Sequence, residues 1–194
     1  MNYESSIDAI LDNEAPGWRT DPAGGYVDHP ADSGGPTRYG ITQAVARSNG
    51  YQDDMRDLPL ALAREIYRRR YIIRPNFDRI AAVDAQVGLE LIDTGVNMGP
   101  HRAAEFFQRA LNVFNANGSR YADLFVDADV GPVTVEAFKA FMRWRGADGK
   151  KVMLRALNSL QGAFYIELAE ARPKDEAFVY GQILHRVQLD EGSA

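Results

Sequence analysis

Apolar residues recur at helical spacing along most of this 194-residue chain, and one segment near the N-terminus breaks the pattern. The first helix is predicted over residues 4–14 and ends before the helix-breaking pair Pro16-Gly17. Residues 18–39 are dense in Gly, Pro and Asp. Within this region, Tyr26-Val27 and Tyr39-Gly40-Ile41 are predicted to pair as a small β-hairpin. A hairpin lobe should therefore interrupt an otherwise helical chain.

Helical patterns return after this segment and continue almost to the C-terminus. Thr42 is a suitable N-cap for the next helix, and a strongly apolar stretch over residues 83–96 is predicted to be the central buried helix. The later patterns lie at residues 43–50, 59–71, 83–96, 103–114, 133–145, 151–171 and 176–187. The turn over residues 147–150 is predicted to connect two of them. The sequence thus predicts a mainly α fold: a helical-bundle body of roughly seven or eight helices with a small irregular β-hairpin lobe.

The composition excludes several classes of protein. Apolar residues make up 45% and charged residues 25%, as in ordinary globular proteins. The absence of cysteine removes disulfides and thiolate metal sites, and the three histidines are too scattered for a metal site. We expect no metal and no cofactor. No stretch of 18 apolar residues predicts membrane insertion, and a net charge of −5 argues against nucleic acid as the partner.

One carboxylate and one loop suit glycoside hydrolysis. That reaction needs a carboxylic acid to protonate the leaving oxygen and a second polar group to handle water or the oxocarbenium charge. Glu14 stands at the predicted end of the first helix, where it can face a cleft. The Gly-rich loop that follows carries Asp28, Asp32 and Thr37, and its glycines allow backbone to approach a polysaccharide closely. On the chemistry alone, a simple turn is the more common interpretation of such a loop.

The run GGYVDHPADSGGPTRYGIT, residues 24–42, resembles the signature of glycoside hydrolase family 108. These N-acetylmuramidases occur among phage endolysins and secretion-associated lysozymes. In the family, a glutamate ends the first helix and is followed directly by Gly-Gly-Tyr/Phe-Val. The motif continues as Asn/Asp-x-Pro-x-Asp-x-Gly-Gly-x-Thr-x-x-Gly-Ile-Thr. The resemblance implies a lysozyme-like α+β fold and cleavage of bacterial peptidoglycan.

The second half of the chain resembles the C-terminal region of the same proteins, which is often described as peptidoglycan-binding. The similar runs are YRRRYIIRPNFDRI, DTGVNMGPHRAAEFFQRALN, DADVGPVTVEAFKAF and EAFVYGQILHRV. The resemblance implies a catalytic muramidase region with the β lobe over residues 1–85. It implies a helical peptidoglycan-binding-like region over residues 86–194, with the two packed as one globular unit.

The position of the catalytic acid is the one important departure from the family pattern. Counting back from Asp32 by the family's spacing reaches Ala23 and not a glutamate. Either residues 15–23 are an insertion after Glu14, or Ala23 replaces the acid in an inactive variant. The predicted helix end at Glu14 favours the insertion, because Gly17 and Pro22 prevent a helix from ending at Ala23.

The resemblance then implies a role for each candidate residue. Glu14 is the expected general acid, Asp32 the base or charge stabiliser, and Thr37 the residue that positions the attacking water. Asp28 is the alternative to Asp32 and a candidate substrate-binding residue. Other side chains expected to line a sugar cleft are those of Tyr39, Tyr67, Tyr71 and Asn97. The stereochemical course stays open.

The expected activity is hydrolysis of the β-1,4 bond between N-acetylmuramic acid and N-acetylglucosamine by general acid/base catalysis. The expected partner is the peptidoglycan glycan strand, and the expected state is a monomer. The N-terminus does not have the pattern of a signal peptide. We therefore expect an endolysin made in the host cytoplasm that acts on periplasmic peptidoglycan and needs a holin for export. A bacterial secretion-associated muramidase and an inactive peptidoglycan-binding protein are the alternatives.

Overall fold

A computed structural model describes residues 3–28, 35–173 and 176–187. Within these ranges the fold consists of eight α-helices and one two-stranded hairpin, which confirms the predicted mainly α class. The strands are β1 (Thr37–Arg38) and β2 (Ile41–Thr42). The helices are α1 (Glu4–Glu14), α2 (Gln43–Ser48), α3 (Leu60–Arg68), α4 (Phe77–Val83), α5 (Ala85–Met98), α6 (Pro100–Val113), α7 (Pro132–Ala171) and α8 (Glu176–Arg186).

The chain divides into two compact units, Met1–Arg74 and Pro75–Ala194. The first contains the hairpin and α1 to α3, and the second contains α4 to α8. The functional boundary between residues 85 and 86 stays a prediction. Among the described residues, no helix combines the length and the apolar character that crossing a membrane requires.

Helix α1 packs through the apolar face that its sequence predicts. Ile7, Ile10 and Leu11 are all buried, and burial of such a side chain stabilises a fold by roughly 1.5–3 kcal/mol. On its polar side, Arg64 of α3 forms ion pairs with Glu4 and with Asp8. Helix α1 is therefore held by an apolar face on one side and by ion pairs with α3 on the other.

The hairpin differs from the predicted one in register. Thr37 pairs with Thr42 and Arg38 with Ile41, so Tyr39 and Gly40 form the connecting turn and not a strand. Val27 makes an isolated antiparallel bridge to Thr37, with its backbone N–H 2.9 Å from the Thr37 carbonyl. The prediction that Tyr26-Val27 pairs with residues 39–41 was therefore wrong by two residues. Positive φ angles at Tyr39 and Gly40 explain the difference, since they suit a two-residue turn.

Two capping side chains set the starts of helices. Thr42 caps α2 by accepting a hydrogen bond from the backbone of Val45 at 3.4 Å, as the sequence predicted. Asp84 caps α5 by accepting from the backbone of Gln86 and Val87 at 3.0 and 3.1 Å. This cap separates α5 from α4, a seven-residue helix that the apolar periodicity did not reveal.

A single glycine, Gly146, interrupts the 40-residue α7. Its φ of 58° and ψ of −140° lie outside the helical region, while the residues on both sides are helical. The predicted turn over residues 147–150 is therefore wrong in extent, because the helix resumes directly after one residue. Gly adopts this conformation at little steric cost, so the chain changes direction without a loop.

A group of polar side chains lies inside the second unit where α5 faces α7. Thr94, Asn158 and Gln161 are each at most 2% exposed, and the amide of Gln161 donates to the Thr94 hydroxyl at 3.4 Å. Glu90 is part of this group, and its Oε1 is buried with no hydrogen-bond partner among the described residues. Burial, followed by the nearby Asp93 charge, raises the pKa of Glu90 to about 7, although hydrogen bonds from Asn158 and Thr94 oppose the shift.

Removing the Glu90 charge should stabilise the fold above neutral pH. The folded chain keeps this proton between pH 4.5 and about 7 while the unfolded chain loses it, so stability falls as the pH rises through this window. We expect Glu90→Gln to raise Tm at pH 8 by a few °C, on the order expected for about 1–3 kcal/mol in a chain of this size, and to change it little at pH 4.5.

The titratable groups near Glu90 are Asp93 of α5, Tyr165 of α7, and His185 and Arg186 of α8. Glu170→Gln, at an exposed position of α7, is the control for loss of one negative charge. Equal effects of the two substitutions at both pH values would contradict the account.

Candidate functional site

Glu14 is the last residue of α1, and it lies directly against the hairpin turn. A Cβ atom built on Gly40 would lie 2.8 Å from the Glu14 carbonyl oxygen and 2.9 Å from the Glu14 Cβ. The Glu14 side chain is exposed beyond that contact. The turn therefore approaches the helix end as closely as a glycine allows. This contact fixes the position of the Glu14 Cβ, from which the carboxylate extends.

The turn itself holds a strained residue. Tyr39 has a φ of 51° and Gly40 a φ of 72°, and the left-handed region is uncommon for a residue with a bulky side chain. The hydroxyl of Tyr67 donates to the Tyr39 carbonyl oxygen at 2.9 Å. A Cβ on Gly24 would overlap the Tyr39 ring, so Gly24 packs flat beneath it. Strain of this kind, held in place by its neighbours, is common at functional sites.

The side chains of Tyr67 and Tyr71 lie near Glu14. Their ring centroids are 6.2 Å apart and their planes differ by 27°. Burial raises the pKa of both hydroxyls, and the negative charge of Glu14 raises each of them further. The carboxylate is therefore close enough to act electrostatically on both phenols. Tyr71 lies in a π-helical segment, Arg69–Ile73, and such segments occur often at functional sites.

Residues 15–23 form a loop whose two ends meet at this turn. Glu14 contacts Gly40, while the carbonyl of Gly24 accepts a hydrogen bond from the backbone N–H of Tyr39 at 3.1 Å. Ala15 and Gly25 are also neighbours, since a Cβ on Gly25 would lie 3.8 Å from that of Ala15. The residue before the loop and the residue after it thus contact adjacent positions of the same turn.

The loop folds back on α1 through Trp18. This side chain is 8% exposed, and its indole N–H donates to Asp12 at 2.8 Å. Arg19 stacks on the Trp18 ring at 4.4 Å and forms ion pairs with Asp12 at 3.1 Å and with Asp8 at 3.3 Å. The hydrogen bonds from Arg19 and Trp18 lower the pKa of Asp12. The loop therefore has its own anchors and leaves the helix end at Glu14 undisturbed.

Ala23 lies in a turn that Asp21 organises. The Asp21 carboxylate accepts hydrogen bonds from the backbone N–H groups of Ala23 at 2.8 Å and Gly25 at 3.0 Å. Ala23 is exposed and follows Pro22, so no helix ends at this position. A turn of this kind does not provide the helix-end placement that the acid has in the family pattern.

The other proposed catalytic residues are separate from the Glu14 contact. Thr37 opens the hairpin at the end opposite the turn, and its hydroxyl donates to the Gly35 carbonyl at 3.2 Å. Asp28 is exposed and accepts a hydrogen bond from the Tyr26 hydroxyl at 3.2 Å. Asp32 lies outside the described residues. The roles of all three stay predictions.

The proposed sugar-binding side chains differ in their exposure. Tyr67 is 2% exposed, so neither of its faces is open for a sugar to stack on; it supports the turn instead. Tyr39 is 9% exposed, with the Arg38 guanidinium 5.0 Å from its ring centroid. Asn97 is exposed on α5, in the second unit, and donates to the Asp93 carbonyl at 2.8 Å. The sequence did not identify Gly40 as a site residue, because its close approach to Glu14 depends on tertiary packing.

The described residues contain no group of three His, Asp or Glu side chains placed to hold a metal ion. The Glu14 cluster itself places one carboxylic acid next to two phenols, those of Tyr67 and Tyr71. A carboxylic acid in such a place can give a proton to a leaving oxygen and later take one from water.

Two family models match successive parts of the chain. One, described as glycosyl hydrolase 108, matches residues 19–99, and the other, described as a predicted peptidoglycan domain, matches residues 102–187. The first match begins after α1 has ended, so it includes Ala23 and the hairpin but not Glu14.

Among solved structures, that of Brucella abortus SagA is similar to this chain. The sequences are 21% identical over 97% of each chain, with a TM-score of 0.51. At this identity the similarity shows a shared fold. No curated protein has significant sequence similarity to the chain.

A side chain at position 40 should push the turn away from α1. Gly40→Ala adds a Cβ that would be 2.5 Å from the Tyr67 hydroxyl and close to Glu14, on a backbone of positive φ. We expect the free energy of unfolding to fall by about 2–4 kcal/mol, from crowding and strain together. Chemical denaturation of the purified chain measures this change.

Gly50→Ala is the matched control, because Gly50 has a φ of +89° but nothing within 4 Å of the added Cβ. It should show the strain without the crowding and lose clearly less stability. Equal losses in the two variants would show that the close approach to Glu14 contributes nothing.

Proposed function

We propose that this chain, which matches the glycosyl hydrolase 108 model over residues 19–99 and a predicted peptidoglycan domain over residues 102–187, is an N-acetylmuramidase. Its reaction is hydrolysis of the β-1,4 bond between N-acetylmuramic acid and N-acetylglucosamine. The match to a glycosyl hydrolase family supports the reaction class, and the match to a peptidoglycan domain supports peptidoglycan as the substrate polymer. The bond specificity is the proposal.

We assign the proton donor to Glu14. In this mechanism the Glu14 carboxylic acid gives its proton to the glycosidic oxygen as the bond to the anomeric carbon breaks. Water then adds to the oxocarbenium-like centre and loses a proton to a carboxylate. Asp32 is the proposed second carboxylate, with Asp28 as its alternative. Thr37 is proposed to position the water, because its hydroxyl oxygen keeps lone pairs while its hydrogen is donated to Gly35.

One observation carries the assignment to Glu14: residues 14 and 24 contact adjacent positions of the Tyr39-Gly40 turn. Removing residues 15–23 would leave Glu14 next to Gly24, which recreates the Glu-Gly-Gly-Tyr-Val order of the family motif. This closure of the loop supports the proposal that residues 15–23 are an insertion and that Glu14 is the family's acid. The charge that Glu14 exerts on Tyr67 and Tyr71 supports the same assignment.

A peptidoglycan-binding protein without activity is the second candidate, and two observations favour it. The Glu14 side chain is exposed, and the matched region of the family model contains Ala23 without containing Glu14. In this case the turn at Ala23 would occupy the acid's place, and the chain would bind glycan strands without cutting them.

The biological setting that fits the proposed activity is lysis of a host cell by an endolysin. The enzyme would be made in the host cytoplasm, reach periplasmic peptidoglycan with the help of a holin, and act as a monomer. A bacterial muramidase that serves secretion would use the same chemistry. Loss of plaque formation on deletion of the gene from a phage genome would support the first setting.

Single substitutions at the two candidate acid positions, Glu14→Gln and Ala23→Glu, distinguish an enzyme from a binding protein. We expect wild-type protein to clear a suspension of outer-membrane-permeabilised Gram-negative cells. Glu14→Gln should reduce the initial rate at least 100-fold, which is the scale of lost general acid catalysis, with an unchanged Tm. Ala23→Glu should leave the rate within about twofold of wild type, because its exposed turn is away from the chemistry.

The opposite pattern would identify the binder. If the wild-type chain leaves the optical density unchanged and Ala23→Glu creates lysis, Ala23 occupies the acid's position and the assignment to Glu14 is wrong. Sedimentation of both proteins with purified cell walls is the control, since binding should persist in every variant.

The products identify which bond is cut. Digestion of purified peptidoglycan should release muropeptides that end in reducing N-acetylmuramic acid, with the mass of hydrolysis products. Mass spectrometry after borohydride reduction detects this end. Reducing N-acetylglucosamine would indicate a glucosaminidase, and 1,6-anhydro products that are one water lighter would indicate a lytic transglycosylase.

A further inference from the structure

A short segment of the first unit reverses the charge of the chain. The chain has a net charge of −5, yet residues 68–74 contain four arginines and no acid. Arg68, Arg70 and Arg74 are exposed, and none of their side chains forms an ion pair or a hydrogen bond with any described residue. Clustered cations without partners of their own attract an anionic ligand to the surface that carries them.

Arg70 and Arg74 lie about one helical turn apart. The backbone between them is the π-helical segment Arg69–Ile73, and the Arg74 N–H donates to the Arg69 carbonyl at 2.9 Å. Residues four apart in a helix share a face, whereas Arg68 is two residues from Arg70 and is directed elsewhere. Like charges four residues apart destabilise a helix, so folding gives no reason for this pair.

Arg70 is connected to the Glu14 site through two tyrosines. Its guanidinium carbon lies 5.2 Å from the centroid of the Tyr71 ring, which lies 6.2 Å from that of Tyr67. The Tyr67 hydroxyl bonds to the hairpin turn that packs against Glu14. Tyr71 is 6% exposed, so its ring is a fixed base and the guanidinium above it is the accessible group. Stacking on this ring orients Arg70 before any ligand binds.

The proposed reaction brings carboxylates close to this pair. A muramidase breaks the bond at the anomeric carbon of N-acetylmuramic acid, and the same sugar carries the peptide stem on its lactyl group. Each bond presented to Glu14 therefore brings a stem next to the acid. The stem has free carboxylates at the γ-linked D-glutamate and at the residue after it. A guanidinium binds a carboxylate through two parallel hydrogen bonds.

We propose that Arg70 and Arg74 form a subsite for the carboxylates of the peptide stem, and that this subsite selects stem-bearing glycan over bare glycan. Arg70, oriented by Tyr71, is the first contact, and Arg74 binds a second carboxylate of the same stem. The subsite rests on the proposed function, because it requires the glycan strand to lie beside Glu14.

Other anionic partners fit this pair less well. Nucleic acid and lipid surfaces present many repeated phosphates, which bind to wide basic surfaces. Here the remaining arginine of the segment, Arg69, is paired with Glu65 at 2.8 Å, and the chain as a whole is acidic. Two neighbouring guanidinium groups suit a short ligand with one or two carboxylates.

Calorimetric titration with two matched glycan strands tests the proposal. The probe is an uncrosslinked strand with stems of L-Ala-γ-D-Glu-meso-diaminopimelate, and its control is the same strand after an amidase has removed the stems. The full-length Glu14→Gln chain is used so that the strands stay whole. We expect the stem-bearing strand to bind at least tenfold more tightly, the scale of charge-assisted hydrogen bonds. Phosphatidylglycerol vesicles test whether a lipid surface is bound instead.

Single substitutions within the segment test whether the pair is responsible. Arg70→Gln and Arg74→Gln should each weaken binding of the stem-bearing strand at least fivefold and change binding of the bare strand less than twofold. Arg68→Gln removes an equal charge from an exposed neighbour on another face, and it should change neither affinity more than twofold. In an active chain, Arg70→Gln should raise KM for stem-bearing strands more than it lowers kcat. If Glu14→Gln still cuts the strands, the KM values of the two strands replace the affinities.

The outcomes separate the subsite from the enzyme. Failure of the stem-bearing strand to bind, equal binding of the two strands, or tighter binding to the vesicles would overturn the inference. So would equal losses in Arg68→Gln and Arg70→Gln, which would indicate a diffuse charge effect. Cell lysis by the wild-type chain without a preference for stems would overturn it and leave the proposed muramidase intact. A preference for stems that Arg70→Gln removes, in a chain that does not lyse cells, would uphold the subsite and reject the enzyme.

Discussion

The close approach of the hairpin turn to the end of α1 is the contact on which the first unit depends. Only a glycine at position 40 lets the turn come so near to Glu14, and the same turn keeps Tyr39 in a left-handed conformation. The hydroxyl of Tyr67 stabilises that conformation by donating a hydrogen bond to the Tyr39 carbonyl oxygen. The contacts around this turn offset its backbone strain. As a result, the Glu14 side chain leaves the backbone at a fixed position.

The two units use carboxylates in different environments. In the first, Glu14 is exposed, and its position is set by backbone packing and by neighbouring phenols. In the second, Glu90 is enclosed by polar groups that do not all find partners, and burial raises its pKa to about 7. Burial at Glu90 therefore favours the neutral carboxylic acid up to about pH 7.

The sequence predicted the features that depend on local rules. The end of α1 at Glu14 followed from Pro16-Gly17, and the Thr42 cap followed from side-chain chemistry. The register of the hairpin was missed because it depends on positive φ angles at Tyr39 and Gly40, and tyrosine gives no local sign of such a conformation. Helix α4 was missed because Phe77–Val83 makes only about two turns, which is too short to display a helical period.

The candidate site was only partly accessible from the sequence for the same reason. A motif gives the order of residues, but the meeting of residues 14 and 24 at one turn depends on tertiary packing across the loop between them. The π-helical segment that holds Tyr71 has no composition of its own.

A crystal structure of the Glu14→Gln variant bound to a peptidoglycan tetrasaccharide tests the central claim most directly. The account predicts that the side-chain amide at position 14 lies about 3 Å from the glycosidic oxygen between two sugar rings, within hydrogen-bond reach. The Tyr39-Gly40 turn should lie beside those rings. A glycosidic oxygen that lies next to Ala23 instead, with position 14 turned to solvent, would contradict it.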